Sequence, residues 1–189
     1  MQLNTIDNMK FVYIIILMAM NCILFASESI LEKVLQDETL IVPGCGAERV
    51  LLSENIANAI DRYGNYRFKY SRPQKISELF KEIFKVDGNV RIYFDGIYYY
   101  DEKNFALFVF KKRIVAVVGF NQNKITEDSI QLAKGLDYFI FSYGNKHMII
   151  VENAGNKICI YPDRGVALID DGADDSIDMY IVFTTMQKR

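Results

Sequence analysis

The chain has 189 residues, 51% of them apolar and 24% charged, with a formal net charge of −2 and a pI near 5.5. That is enough apolar material for a core without a metal or a disulfide framework, in one domain or two small ones. The mildly acidic balance argues against nucleic acid or an anionic membrane surface as the main partner, since both select a basic patch.

Residues 1–26 read as a secretory signal peptide. Phe11 through Phe25 is apolar apart from Asn21, Lys10 precedes it, and Ala26 offers a small residue for cleavage where polarity begins. Met9-Lys10 makes a more ordinary start than Met1. Two alternatives stay open, an uncleaved anchor and acylation at Cys22, although Ala19-Met20-Asn21-Cys22 departs from a good lipidation box. The expected address is periplasmic or secreted, with envelope anchoring as the alternative and the membrane touched only through this segment. Cleavage would leave Cys45 and Cys159, which an oxidising compartment permits to pair and which otherwise behave as two small buried hydrophobes.

Residues 27–42 form a mature N-terminal arm. Ile30, Leu31, Val34 and Leu35 stand at helical spacing, and Leu40-Ile41-Val42 is an apolar run stopped by Pro43-Gly44. A first unit covers 43–120. It opens on Val50-Leu51-Leu52 and a short helix, with Ser53 as the expected N-cap and Gly64 as the terminating glycine. The first unit carries an insertion, Asn65 through Asn89, within which a helix is predicted over 75–85, where Ile76, Leu79, Phe80, Ile83 and Phe84 make one apolar stripe. Residues 90–120 then read as four short strands rich in aromatic and β-branched side chains, with Asp95-Gly96 as a hairpin turn. A second unit covers 121–185.

The two units align with each other. Residues 46–64 lie over 126–144 without a gap, Val50 meeting Ile130, Leu52 meeting Leu132, Ile56 meeting Leu136, and both segments ending Tyr-Gly. Downstream, Tyr100 through Leu107 lies over Tyr161 through Leu168, and Ile114 through Phe120 over Ile177 through Phe183. The expected fold is α+β: two tandem helix-plus-four-strand antiparallel meanders with the helices on one face of the sheet and the other face wet.

Gly46, Gly64, Gly144 and the two meanders give the chain an outline that resembles a group of small bacterial envelope proteins. The β-lactamase-inhibitory protein and the small lipoprotein of the outer-membrane barrel-assembly machine belong to that group. The resemblance covers about residues 43–185 and implies non-enzymatic protein binding, with no catalytic residue to carry over. The second unit departs from the pattern in lacking a second helix.

Candidate chemistry is sparse. His147 is the only histidine, so a His/Cys metal site lacks ligands and a catalytic triad would depend on that one residue. Gly44-Cys45-Gly46 lacks the remaining parts of a phosphate loop and reads as a turn. Asp170, Asp171, Asp174, Asp175 and Asp178 surround Gly172 and offer oxygen ligands to Ca²⁺, against the plainer reading of a solvated hairpin turn. Lys111, Lys112 and Arg113 occupy the equivalent turn of the first unit with opposite charge. No cofactor is expected. The leading expectation is a protein-binding module that engages its partner through Tyr98, Tyr99 and Tyr100 and the basic turn. A hydrolase using Asp163, Asp170 and Asp174 is the alternative from another class, and an anchored structural envelope protein a third.

Overall fold

Strands such as Phe-Ala-Leu-Phe-Val-Phe (105–110) and Val-Ala-Leu-Ile (166–169) carry apolar side chains at both parities. Strands of that composition are stable when both faces of their sheet are covered. The computed structural model describes residues 30–75, 92–120, 122–145, 149–153, 156–174 and 176–185. The signal peptide, Cys22, residues 76–85 of the predicted inserted helix, His147 and Asp175 lie outside them.

The chain divides into Met1–Lys33 and Val34–Arg189. Of the first part only residues 30–33 are described, within a helical run over 30–36. The second part is α+β. Three short pieces, β1 (Leu40–Ile41), β2 (Gly46–Ala47) and β3 (Val50–Leu51), lead into helix α1 (Ile56–Tyr63). Four longer strands follow: β4 (Arg67–Lys75), β5 (Tyr93–Tyr100), β6 (Phe105–Phe110) and β7 (Arg113–Gly119). Then come β8 (Ile125–Thr126), a 3-10 turn at Leu132–Lys134, helix α2 (Leu136–Tyr143), β9 (Ile149–Asn153), β10 (Asn156–Tyr161), β11 (Val166–Asp170) and β12 (Met179–Phe183).

Eight strands form one sheet in the order β4-β5-β6-β7-β12-β11-β10-β9, antiparallel throughout. In chain order both β4–β7 and β9–β12 run from an outer edge to the centre, meeting where Gly119 pairs with Tyr180 and Ala116 with Phe183. Gly119 is required at that seam, because an added Cβ would lie 2.2 Å from the Tyr180 hydroxyl. β1 and β8 pair in parallel beside the main sheet.

Two apolar clusters divide by strand parity. Phe105, Leu107 and Val109 of β6 join Val117, Leu168, Tyr180 and Val182 in the larger one, which also holds Ile56 and Ala59 of α1 and Leu136, Phe139 and Tyr143 of α2. Ala106 and Phe108 join Phe94, Ala116, Ile160, Ala167, Ile181 and Phe183 in the second. The second face is therefore not wet over its central strands, contrary to expectation, since the side chains of this cluster are apolar and buried; toward the β4 edge Arg67 and Lys69 reach solvent.

Three further expectations change. Asp95-Gly96 is not a turn but lies inside β5, and the outermost strand of the first meander is β4, drawn from the stretch read as an insertion. Gly96 is used for close approach, since a Cβ there would sit 3.0 Å from the Phe68 ring. The cap of α1 is Asn55, whose side chain accepts from the Ala57 N–H at 3.0 Å, while the Ser53 N–H is taken by the Ile114 carbonyl. Of the two readings left open for the cysteines, the unpaired one holds: Cys45 and Cys159 are free thiols.

Candidate partner-binding surface

The three adjacent tyrosines of β5 serve different ends. Tyr100 is a core residue, 2% exposed, stacked on Phe105 at 4.8 Å and meeting the edge of Tyr63 at 5.5 Å. It is not available to a partner. Burial pushes its phenol up to about 12, and its hydroxyl finds no hydrogen-bond partner among the described residues. Tyr98 is half-buried on the same side, between Tyr66 at 5.0 Å and Phe68 at 4.7 Å. Tyr99 points the other way, with the Arg67 guanidinium 4.2 Å above its ring. Arg67 in turn donates two hydrogen bonds to Asp101, at 3.0 and 2.9 Å, which hold the Asp101 carboxyl below its usual range.

The exposed aromatic surface belongs to the strand beside them. Tyr66, just before β4, is 43% exposed, and Phe68 and Tyr70 within it are 47% and 72% exposed, all at one parity, with Arg67 and Lys69 exposed at the other. Among the described residues β4 is the terminal strand of the sheet, paired only with β5. Phe68 stands opposite Tyr98 and Tyr70 opposite Gly96, so the β5 residues form the floor on which the β4 aromatics rest. Beyond Tyr70 the register breaks until Gln74, opposite Phe94. The sequence carried this signal as the period-two alternation Tyr66-Arg67-Phe68-Lys69-Tyr70, which the insertion reading passed over. Where β4 begins, Tyr63, Asn65, Tyr66, Arg67, Tyr100 and Asp101 help to line an open cleft of about 290 Å³.

The basic turn lies at the opposite end of β4, since Lys75 pairs with Tyr93 and the Tyr93 ring meets Phe110 at 6.1 Å. Lys111 and Lys112 form a two-residue hairpin with φ of 49° and 66°, a primed turn made without glycine. The Lys111 N–H is held by the Asp95 carboxylate at 3.2 Å, and Arg113 donates to the Ser53 carbonyl at 3.1 Å.

In the acidic turn, the carboxylates of Asp170, Asp171 and Asp178 come within 4.8 Å of one another. Each already accepts a main-chain N–H, from Gly172, Ala173 and Asp171 respectively, as side chains of this kind do in turns. Asp174 points away, accepting from the Ser176 N–H and hydroxyl. Those bonds account for the cluster's geometry, and the oxygen-only donor set suits a hard cation such as Ca²⁺. The hydrolase residues are not gathered: Asp163 lies in the turn before β11 and Asp170 at that strand's far end.

Sequence reasoning missed the buried charges. Lys124 Nζ lies 2.7 Å from Glu48 Oε1, with both side chains inaccessible. Tyr180 donates its hydroxyl to the same carboxylate, Tyr63 donates to the Glu48 carbonyl, and Lys124 donates to the Glu38 carbonyl. Burial and then the Glu48 charge push the Tyr180 phenol far above its ordinary range. This network ties the β2–β3 turn to β12 through groups that are themselves buried. Neither Glu48 nor Lys124 stands in a pattern that periodicity could have marked.

No protein-family model, no curated protein and no solved structure matches this chain.

Proposed function

We propose that the chain is an exported, non-enzymatic protein-binding module, built from two tandem helix-plus-meander units, whose binding surface is the aromatic edge formed by Tyr66, Phe68, Tyr70 and Tyr98. The observation that carries this reading is the exposure of Phe68 and Tyr70 side by side on a terminal strand. Aromatic residues clustered in solvent are costly unless a partner covers them, and tyrosine is favoured at interface hot spots. Tyr100 leaves the set of contact residues named from sequence, and the basic turn Lys111, Lys112 and Arg113 stays in it as a charged margin.

The tandem reading has support at matched positions. The strand order rises and falls symmetrically about β7 and β12. Val50 and Ile130, Ile56 and Leu136, and Leu107 and Leu168 are buried in one cluster, which also holds the buried residues of both helices. Gly64 and Gly144 each donate to the carbonyl four residues back, at φ of 73° and 85°. A repeated framework that ends in an open sheet edge supplies surface, not converging reactive groups, in keeping with the envelope proteins it resembles.

The test is site-specific photocrosslinking in the cells that make the protein, with the reactive side chain at Tyr70 or Phe68 and, as control, at exposed Asp61 on α1. The reading expects one discrete adduct from the β4 positions and none from α1. Adducts from α1 alone, or none at either place, would refute it. Mass spectrometry of the mature N-terminus separates cleavage after Ala26 from acylation at Cys22 and from retention.

A further inference from the structure

We infer that β4 receives an acidic, extended segment of another protein as a ninth strand, with side chains alternating between apolar and carboxylate. The inference rests on the protein-binding reading and names the partner's chemistry. Three observations lead to it.

The first is topological. Among the described residues β4 has a hydrogen-bonded neighbour on one side only, and its other edge has main-chain donors and acceptors for an incoming strand. The regular stretch available is short. Residues 67–70 pair evenly with 96–99, and the irregularity before Gln74, which includes Pro73, ends it.

The second is charge. β4 holds Arg67, Lys69, Arg72 and Lys75 and no acidic residue. A second copy of this chain pairing edge to edge would bring the Arg67 and Lys69 side chains of both strands together on one face, and like charges facing each other across strands are destabilising. A carboxylate-bearing strand meets no such penalty. Arg67 is already engaged by Asp101, which leaves Lys69, exposed and central in the regular stretch, as the main discriminating charge.

The third is parity. Tyr66, Phe68 and Tyr70 occupy one face of the edge and Arg67 and Lys69 the other. An added strand inherits the same two environments, because successive side chains point to opposite faces. Its residues beside Phe68 and Tyr70 are therefore apolar, and those beside Lys69 acidic. A merely acidic segment satisfies one face, and a merely apolar one satisfies the other.

The experiment uses the full mature chain, ¹⁵N-labelled, titrated with four synthetic eight-residue peptides. These are alternating Glu/Val, alternating Lys/Val, a block arrangement of the same Glu and Val residues, and alternating Glu/Val with every amide N-methylated. The expected result is amide shifts concentrated at residues 66–70 with the first peptide. Binding by the Lys/Val and N-methylated peptides is expected to be about tenfold weaker or absent, and raised salt should weaken the Glu/Val complex. Lys69→Glu should reverse the preference toward Lys/Val, with an unchanged melting curve showing that the exposed substitution leaves the fold intact.

The inference falls if the shifts miss residues 66–70 or if the N-methylated peptide binds as well as its parent. It falls equally if Lys69→Glu leaves the preference alone, or if sedimentation shows that β4 joins two copies of this chain. Should the peptides fail while crosslinks at Phe68 and Tyr70 persist, strand addition is wrong and the protein-binding reading stands. Loss of those crosslinks refutes the reading itself.

Discussion

Tyr63 and Tyr100 meet at the corner where α1 passes into the first meander, and Tyr143 and Tyr161 meet at the corresponding corner after α2. The ring geometry is nearly shared, with centroids 5.5 and 5.2 Å apart and both pairs edge-on. Their polar atoms are treated differently. Tyr161 donates its hydroxyl to the Gly144 carbonyl at 2.8 Å, whereas the Tyr100 hydroxyl is buried without a partner among the described residues. Tyr63 is tied to the Glu48 carbonyl and so to the buried Glu48–Lys124–Tyr180 network, while Tyr143 lies beneath the Arg164 guanidinium at 4.0 Å. The acid at the turn matching Glu48 is Asp128, which is exposed. One corner thus carries both a buried ion pair and an unsatisfied hydroxyl, and among the described residues the other carries neither. Shape is common to the two corners and polar satisfaction is local.

The largest expected effect tests the ion pair. Glu48→Gln leaves Lys124 buried and uncompensated and should cost about 3–5 kcal/mol by urea unfolding. Asp128→Asn at the matching exposed position should stay within about 0.5 kcal/mol. Adding Lys124→Met to Glu48→Gln should recover part of the loss, because the stranded charge is gone. Equal losses at positions 48 and 128 would mean that burial does not distinguish the corners.

A smaller and sharper test reverses sign. Tyr161→Phe removes a satisfied hydrogen bond and should destabilise by about 1 kcal/mol, while Tyr100→Phe removes an orphaned hydroxyl and should be neutral or stabilising by up to about 1 kcal/mol. If both substitutions destabilise alike, the Tyr100 hydroxyl has a partner in solution.

The same phenol gives a pH dependence. A tyrosine ordinarily ionises near 10, and in the folded chain Tyr100 is held protonated up to about 12. Below pH 10 it is neutral in both folded and unfolded chains. Between 10 and 12 only the unfolded chain releases the proton, so stability falls as pH rises through that window. Unfolding midpoints measured from pH 9 to 12 should fall less steeply in Tyr100→Phe than in the parent chain.

The smallest effect concerns the thiols. Burial pushes Cys159 up to about 11 and raises Cys45 less, Cys159 being fully buried and Cys45 half-buried. A thiol reagent at pH 8 should modify Cys45 first and Cys159 only on unfolding; fast reaction of both would contradict the burial described for β10.

Local pattern alone determined a good deal. The alternations and glycines marked α1, α2, the strands of the second meander and β6 and β7 of the first, and the Tyr-Gly endings marked two matching helix ends, because strand and helix periodicity and the positive φ of a terminating glycine are properties of neighbouring residues. Tertiary structure decided the rest. Asp95-Gly96 has the composition of a turn, yet it continues a strand because β4 pairs alongside it and Phe68 covers Gly96. Tyr100 looks like its neighbours in sequence and lies in the core, while the exposed aromatics fall on a strand hidden in an apparent insertion. Glu48 and Lys124 lie 76 residues apart in sequence and 2.7 Å apart in space. Pairing partners, covered faces and buried charges depend on which distant segments meet, and no window along the chain contains both members of such a contact.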